Sequence, residues 1–171
     1  AALAEWKAQT APVMTRWAKD VSPDKVLPEY PRPQLVREHW LNLNGLWDYA
    51  IVSKDIAKPD SYDGQILVPF PVESALSGVM KPVGGDQKLL YRRSFTIPGN
   101  AAWKDKTILL HFGAVHWDCT VWVNGKEAGK HRGGFDPFTF DITPHLKSDG
   151  ANELRVAVND PSDAGYQPRG K

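Results

Sequence analysis

Asn124-Gly125 separates two extended runs, residues 118–123 and 126–131, and leaves them only one short connection. A two-residue Asn-Gly link favours the type I′ turn, in which both central residues take φ > 0 and the flanking strands fold back antiparallel. The run before it alternates: Cys119, Val121 and Val123 share one face, Thr120 and Trp122 the other. A lone hairpin is marginal in water, so further strands must cover that apolar face.

The same period of two recurs along the chain. Trp47, Tyr49 and Ile51 fall on one face, and residues 65–68 form a short strand that Pro69 stops. In residues 89–97, Tyr91 and Arg93 share a face that Phe95 and Ile97 continue. Residues 107–112 are more uniformly apolar, the composition of a central strand. Phe138, Phe140 and Ile142 mark another extended segment, and Leu154, Val156 and Val158 alternate with Glu153, Arg155 and Ala157. Thr143 before Pro144 fits an N-cap and first helical position for one turn over 144–147. About eight short strands, close turns and almost no helix predict an all-β sandwich or jelly roll.

Residues 1–37 differ. Trp6, Val13, Met14 and Trp17 have the spacing of one or two short helical turns, and Pro28, Pro31 and Pro33 then favour an extended, polyproline-like path. This is the pattern of an irregular or helical N-terminal arm lying on a domain formed by residues 38–171 and pinned by its aromatics, since disordered tails are poor in them. With 171 residues the chain can bury one core, but it is too short for a (β/α)₈ barrel, which needs about 200 or more. Its 21 basic and 20 acidic side chains leave a net charge of +1, with no footprint for nucleic acid. No run approaches the roughly 20 apolar residues of a membrane span. The apolar start, residues 1–4, lacks the basic region of a signal peptide.

Tested for chemistry, the sequence offers little. None of the 20 acidic residues has a context that marks one of the two carboxylates glycoside hydrolysis requires, so no catalytic residue is assigned. His111 and His116 lie across a turn and His131 and His145 are isolated, so no metal site is expected from them. Asp60, Asp63 and Gly64, or Asp160 and Asp163, fit Asx-turns better than a calcium site. Cys119, the single cysteine, points inward and reads as an inert core thiol. Ser77-Gly78 lacks a nucleophile elbow, and neither Gly84-Gly85 nor Gly133-Gly134 precedes a helix that would cradle phosphate, so no cofactor is implied. Seven tryptophans serve either a large aromatic β core or a sugar-stacking platform.

An ordered set of segments resembles the N-terminal domain of family 2 glycoside hydrolases, which include β-galactosidases and β-glucuronidases. It runs from Leu43-Asn44-Gly45-Leu46-Trp47-Asp48-Tyr49 through Val68-Pro69-Phe70-Pro71 and Leu90-Tyr91-Arg92-Arg93-Ser94-Phe95. Val121-Trp122-Val123-Asn124-Gly125-Lys126, Gly133-Gly134-Phe135 and Asn152-Glu153-Leu154-Arg155-Val156 follow, and the ending Gln167-Pro168-Arg169-Gly170-Lys171 resembles that of Bacteroidetes-type polysaccharide degraders. The resemblance implies a galactose-binding-domain-like jelly roll, here cut before its last strand and open to self-association through an uncovered edge. It implies an accessory domain of a retaining exo-glycosidase, inactive alone. Its partners would be carbohydrate, through the full-length enzyme, and an immunoglobulin-like domain and a catalytic TIM barrel of the same polypeptide. It also implies a periplasmic or cell-surface location after removal of a signal sequence. Asp86, in the loop before the Tyr91 strand, and Asp163, Arg169 and Lys171, after the last strand, are carried over as contacts at an active-site rim. Two rival readings are an independent carbohydrate-binding module stacking sugar on Trp117, Trp122 or Tyr166, and a domain that only docks structurally.

Overall fold

The computed structural model describes residues 5–99, 101 and 103–161. Eight strands and several single 3₁₀ turns make up its regular structure. In chain order the strands are β1 Gly45–Ser53, β2 Gly64–Val68, β3 Gln87–Phe95, β4 Leu109–Phe112, β5 Asp118–Val123, β6 Lys126–Arg132, β7 Phe138–Asp141 and β8 Asn152–Asn159. Six form one sheet in the order β2-β1-β3-β8-β5-β6, antiparallel throughout, and β4 pairs with β7 in a second. The fold is the all-β sandwich that the alternating runs predict.

The inner face of the large sheet is the core. Trp47, Ile66, Leu89, Phe95, Cys119, Val121, Val123, Leu154, Val156 and Val158 are all buried there, and Leu110 and Ile142 meet them from the second layer. Each fully buried aliphatic side chain of this kind contributes about 1.5–3 kcal/mol. Burial pushes the Cys119 thiol up to about 11, which keeps it protonated and unreactive.

The second layer departs from expectation. The apolar run 107–112 does not form a central strand: among the described residues β4 pairs only with β7, and Leu109 is 44% exposed. Its apolar character is shared between the core, through Leu110, and the outside, where His111 stacks on Trp40 at 5.8 Å and Tyr30 meets Trp40 at a tilt, 4.7 Å between centres. Thr143 also takes a different place. It lies within the 3₁₀ turn Thr143–His145, whose N-cap is Ile142; its hydroxyl accepts a hydrogen bond from Ile108 N, and Asp141 Oδ1 accepts from Thr143 N two residues on.

The 3₁₀ turns of the N-terminal segment fall at Ala18–Asp20, Pro23–Lys25 and Pro33–Leu35, further along than the Trp6–Trp17 spacing suggests. Trp6 donates its indole N–H to the Ser77 carbonyl at 3.0 Å, and Gln9 N donates to Ala75 O at 2.9 Å. The Trp6 ring packs where a Cβ on Gly78 would stand. Trp17 anchors nothing comparable: it is 61% exposed, with the Arg16 guanidinium 4.5 Å from its ring centre.

The outer face of the large sheet is not simply polar. Ala50, Leu67 and Leu90 point outward by register yet are buried. The β1–β2 connection, residues 54–63, folds back over this face, bringing Ala57, Pro59 and Tyr62 beside Leu90. Asp63 ties the connection down with a carboxylate that accepts from Ile51 N at 2.9 Å, a cross-strand contact and not an Asx-turn.

At the β5–β6 hairpin Asn124 and Gly125 have φ of +51° and +81°, as a type I′ turn requires. A Cβ on Gly125 would meet only the Arg155 guanidinium, at 3.9 Å, so space is not the constraint there. Gly125→Val should therefore cost about 1–3 kcal/mol through backbone strain alone, read as a lowered denaturant midpoint. Asn124 has a second task. Its amide donates to His145 O at 2.8 Å and Asn152 Oδ1 at 2.7 Å, while its Oδ1 accepts from Glu153 N at 3.0 Å. Asn124→Asp tolerates the same backbone but removes both donations, and a loss of about 1–3 kcal/mol is expected. An unchanged midpoint would show that these bonds contribute nothing.

Candidate functional site

In an antiparallel sandwich alternate connections gather at the same end. The C-terminal ends of β1, β6 and β8 and the N-terminal ends of β3 and β5 lie together, as the pairs Ser53↔Gln87, Leu89↔Val158, Asp118↔Asn159 and Asp118↔Arg132 show. Five stretches therefore converge there: 54–63, 84–86, 113–117, 133–137 and the chain after Asn159.

A clasp joins three of them. His116 Nδ1 lies 2.9 Å from Asp160 Oδ2, which links the β4–β5 loop to the chain leaving β8. The His116 ring is flanked by Trp117 and Phe135, each at 6.0 Å between centres. Gly134 passes so close that a Cβ there would overlap the His116 ring. Both members of the pair are about one-third exposed, so it contributes only about 0.2–1 kcal/mol. Its effect is to hold loops in register. Phe135 is 72% exposed beside it, an apolar ring presented outward.

Behind the clasp the layers are closed by stacked rings: His131 on Phe138 at 4.0 Å and Phe138 on Phe112 at 4.8 Å. Arg132 grips Asp118 through Nε and Nη2 at 3.0 and 2.6 Å. Asp118, at the start of β5, is thus paired with a cation. At the opposite end, where β7 finishes beside the start of β4, Asp141 has its carboxyl held below the usual range by hydrogen bonds from Thr143, the opposite of what a general acid needs.

Asp86 stands at this end, exposed, in the turn before β3, with its carbonyl accepting from Lys54 N at 3.0 Å. Trp117 is there too, half-buried in the β4–β5 loop. Trp122 is not: it lies on the outer face of β5, opposite Arg155, toward the other end. Asp163, Tyr166, Arg169 and Lys171 lie outside the described residues. Sequence reasoning missed the pairing of His116 with Asp160, which are 44 positions apart with no local pattern to join them. Among the described residues no group of three or more His, Cys, Asp or Glu side chains could hold a metal, and no helix is long and apolar enough to cross a membrane.

The model of the glycosyl hydrolase 2 galactose-binding-domain-like family matches residues 80–170, just over half of the chain, including most of this end. The chain belongs to that family. Among curated proteins it is similar to a β-glucuronidase of Paenibacillus borealis, 28% identical over 138 residues, covering 76% of this chain and 22% of that protein. A β-glucuronidase of Bacteroides fragilis is 31% identical over 120 residues, covering 68% of this chain and 16% of that one. Among solved structures, Faecalibacterium prausnitzii β-glucuronidase superposes with a TM-score of 0.57 at 30% identity, over 70% of this chain and 20% of that one. The chain thus spans about a fifth of the length of the relatives it matches.

Gly134→Ala should push the His116 ring aside and break its contact with Asp160, lowering stability by about 1–3 kcal/mol and moving the His116 imidazole nitrogen resonances. Gly113→Ala, where an added Cβ meets nothing within 4 Å, should leave both unchanged. Unmoved resonances in the Gly134 variant would show that the loop and not the ring gives way.

Proposed function

We propose that this chain is the accessory galactose-binding-like domain of a family 2 retaining exo-glycosidase acting on β-glucuronides, and that its loop end forms part of the rim of the active site. The observation that carries this reading is the convergence of five connections at one end, locked by the His116–Asp160 clasp and presenting Phe135 and Asp86 outward. A large exposed ring is costly in water and suits a surface that meets another one. The opposite partner in this reading is a catalytic barrel of the same polypeptide, with an immunoglobulin-like domain between them. The relatives named β-glucuronidase support the substrate class. Asp163, Arg169 and Lys171, in the segment after Asp160, would then join Asp86 as contacts with the substrate or its surroundings.

Division of labour follows. The barrel supplies the two carboxylates, and this domain narrows access and orients the sugar. The test is to assay hydrolysis of p-nitrophenyl β-D-glucuronide by the full-length protein and by the 171-residue chain alone. Turnover is expected only from the former, and Asp86→Ala with Phe135→Ala should reduce its kcat/KM by about tenfold, or about 1.4 kcal/mol. Turnover by the short chain that vanishes on mutating one of its own acids would overturn the reading. Activity of the full-length protein confined to other glycosides would overturn the substrate class.

A further inference from the structure

Trp122 borders two hollows on the outer face of the large sheet, and the second reaches the loop end through Lys54, Asp55, Lys88 and Asn159. One, of about 230 Å³, is walled by Tyr62, Pro59 and Trp122 and edged by Lys58 and Arg155. The other, of about 370 Å³, is lined by Lys54, Asp55, Lys88, Asp118, Thr120 and Trp122. Small-ligand sites usually occupy about 300–1,000 Å³, a range the second hollow reaches by itself and the first only together with it, across the indole.

The aromatic walls are set before any ligand arrives. The Tyr62 ring lies 4.1 Å from the Arg92 guanidinium, and Arg92 is itself held by Asp48 Oδ2 through Nε at 2.9 Å and Nη2 at 2.6 Å. Trp122 is half-buried on β5. An indole plate with hydroxyl, amide, ammonium and carboxylate groups around it matches a pyranose ring, which has an apolar C–H face and a hydroxylated rim.

Charge narrows the class of sugar. On this face Asp48, Asp118 and Glu153 are committed to Arg92, Arg132 and Arg155. Among the described residues no ion pair holds Lys54, Lys58 or Lys88, and the carboxylate beside them is Asp55. Three uncommitted ammonium groups against one carboxylate leave the two hollows positive. We infer that the outer face of the six-stranded sheet binds an acidic saccharide chain, one sugar ring stacked on Trp122 and its anionic groups met by Lys54, Lys58 and Lys88. This site goes beyond the proposed rim function: it runs from the loop end across the outer face to Trp122 and would hold a polymer beside the rim.

The test is calorimetry on the full-length protein with three probes: tetragalacturonate (carboxylate), a κ-carrageenan tetrasaccharide (sulfate) and cellotetraose (neutral). None is a β-glucuronide, so binding is read separately from turnover. At least one acidic probe is expected to bind at least about tenfold tighter than cellotetraose, and more tightly at low salt. Trp122→Ala should weaken it at least about tenfold and Trp122→Phe less, since a ring remains. Lys54→Glu with Lys58→Glu, both exposed, should abolish it without touching the core, whereas Lys106→Glu, beside the other sheet, should not. The double lysine variant carries the test if Trp122→Ala unfolds. No acidic probe binding at millimolar concentration, equal binding by the lysine variant, or equally tight cellotetraose would each overturn the proposal.

Discussion

The strand β8 is what the rest of the sheet depends on. It pairs along its length with β3 on one side and β5 on the other, and so joins the β2-β1-β3 half to the β5-β6 hairpin. Neither half covers itself: three strands centred on β1 and a two-stranded hairpin each expose an apolar face until Leu154, Val156 and Val158 complete the inner surface. The junction is reinforced where the hairpin turns, because Asn124 bonds through its side chain and backbone to Asn152 and Glu153 at the start of β8. Turn geometry and long-range pairing are thus fixed by a single residue that needs both an amide donor and tolerance of φ > 0.

That same pairing places the functional surface. Because β8 runs antiparallel to both neighbours, its C-terminal end lies beside the starts of β3 and β5, and whatever follows Asn159 is delivered among their loops. The His116–Asp160 clasp then holds the first residue of that delivery against the β4–β5 loop. Its bond energy is small, and its value is geometric: it holds the connections that precede β5 and follow β8 in one register.

The outer face of the sheet follows a different logic. Over β3 it is covered by the 54–63 connection, whose Ala57, Pro59 and Tyr62 lie beside Leu90, buried on a side that alternation assigns to solvent. Toward β5 the cover stops, and Trp122 stands between the two hollows with its charged surroundings. A face half closed by a loop and half open around a tryptophan is shaped for a ligand in a way that a flat polar sheet is not.

Much of this was legible in the sequence because it is local. Period-two alternation gives the facing of Cys119, Val121 and Val123 or of Leu154, Val156 and Val158, since side-chain direction in a strand depends only on neighbours. Asn124-Gly125 specifies its turn for the same reason. The galactose-binding-like architecture was legible from the order of those segments. The tertiary structure decided what no local rule contains. It put the apolar run ending in β4 in a two-stranded layer instead of the sheet centre, because hydrophobicity reports burial and not pairing partner. It buried the outward side of β3 under a loop, and it brought His116 to Asp160 across 44 residues. Those contacts depend on strand order, and strand order is settled by which faces can be covered together.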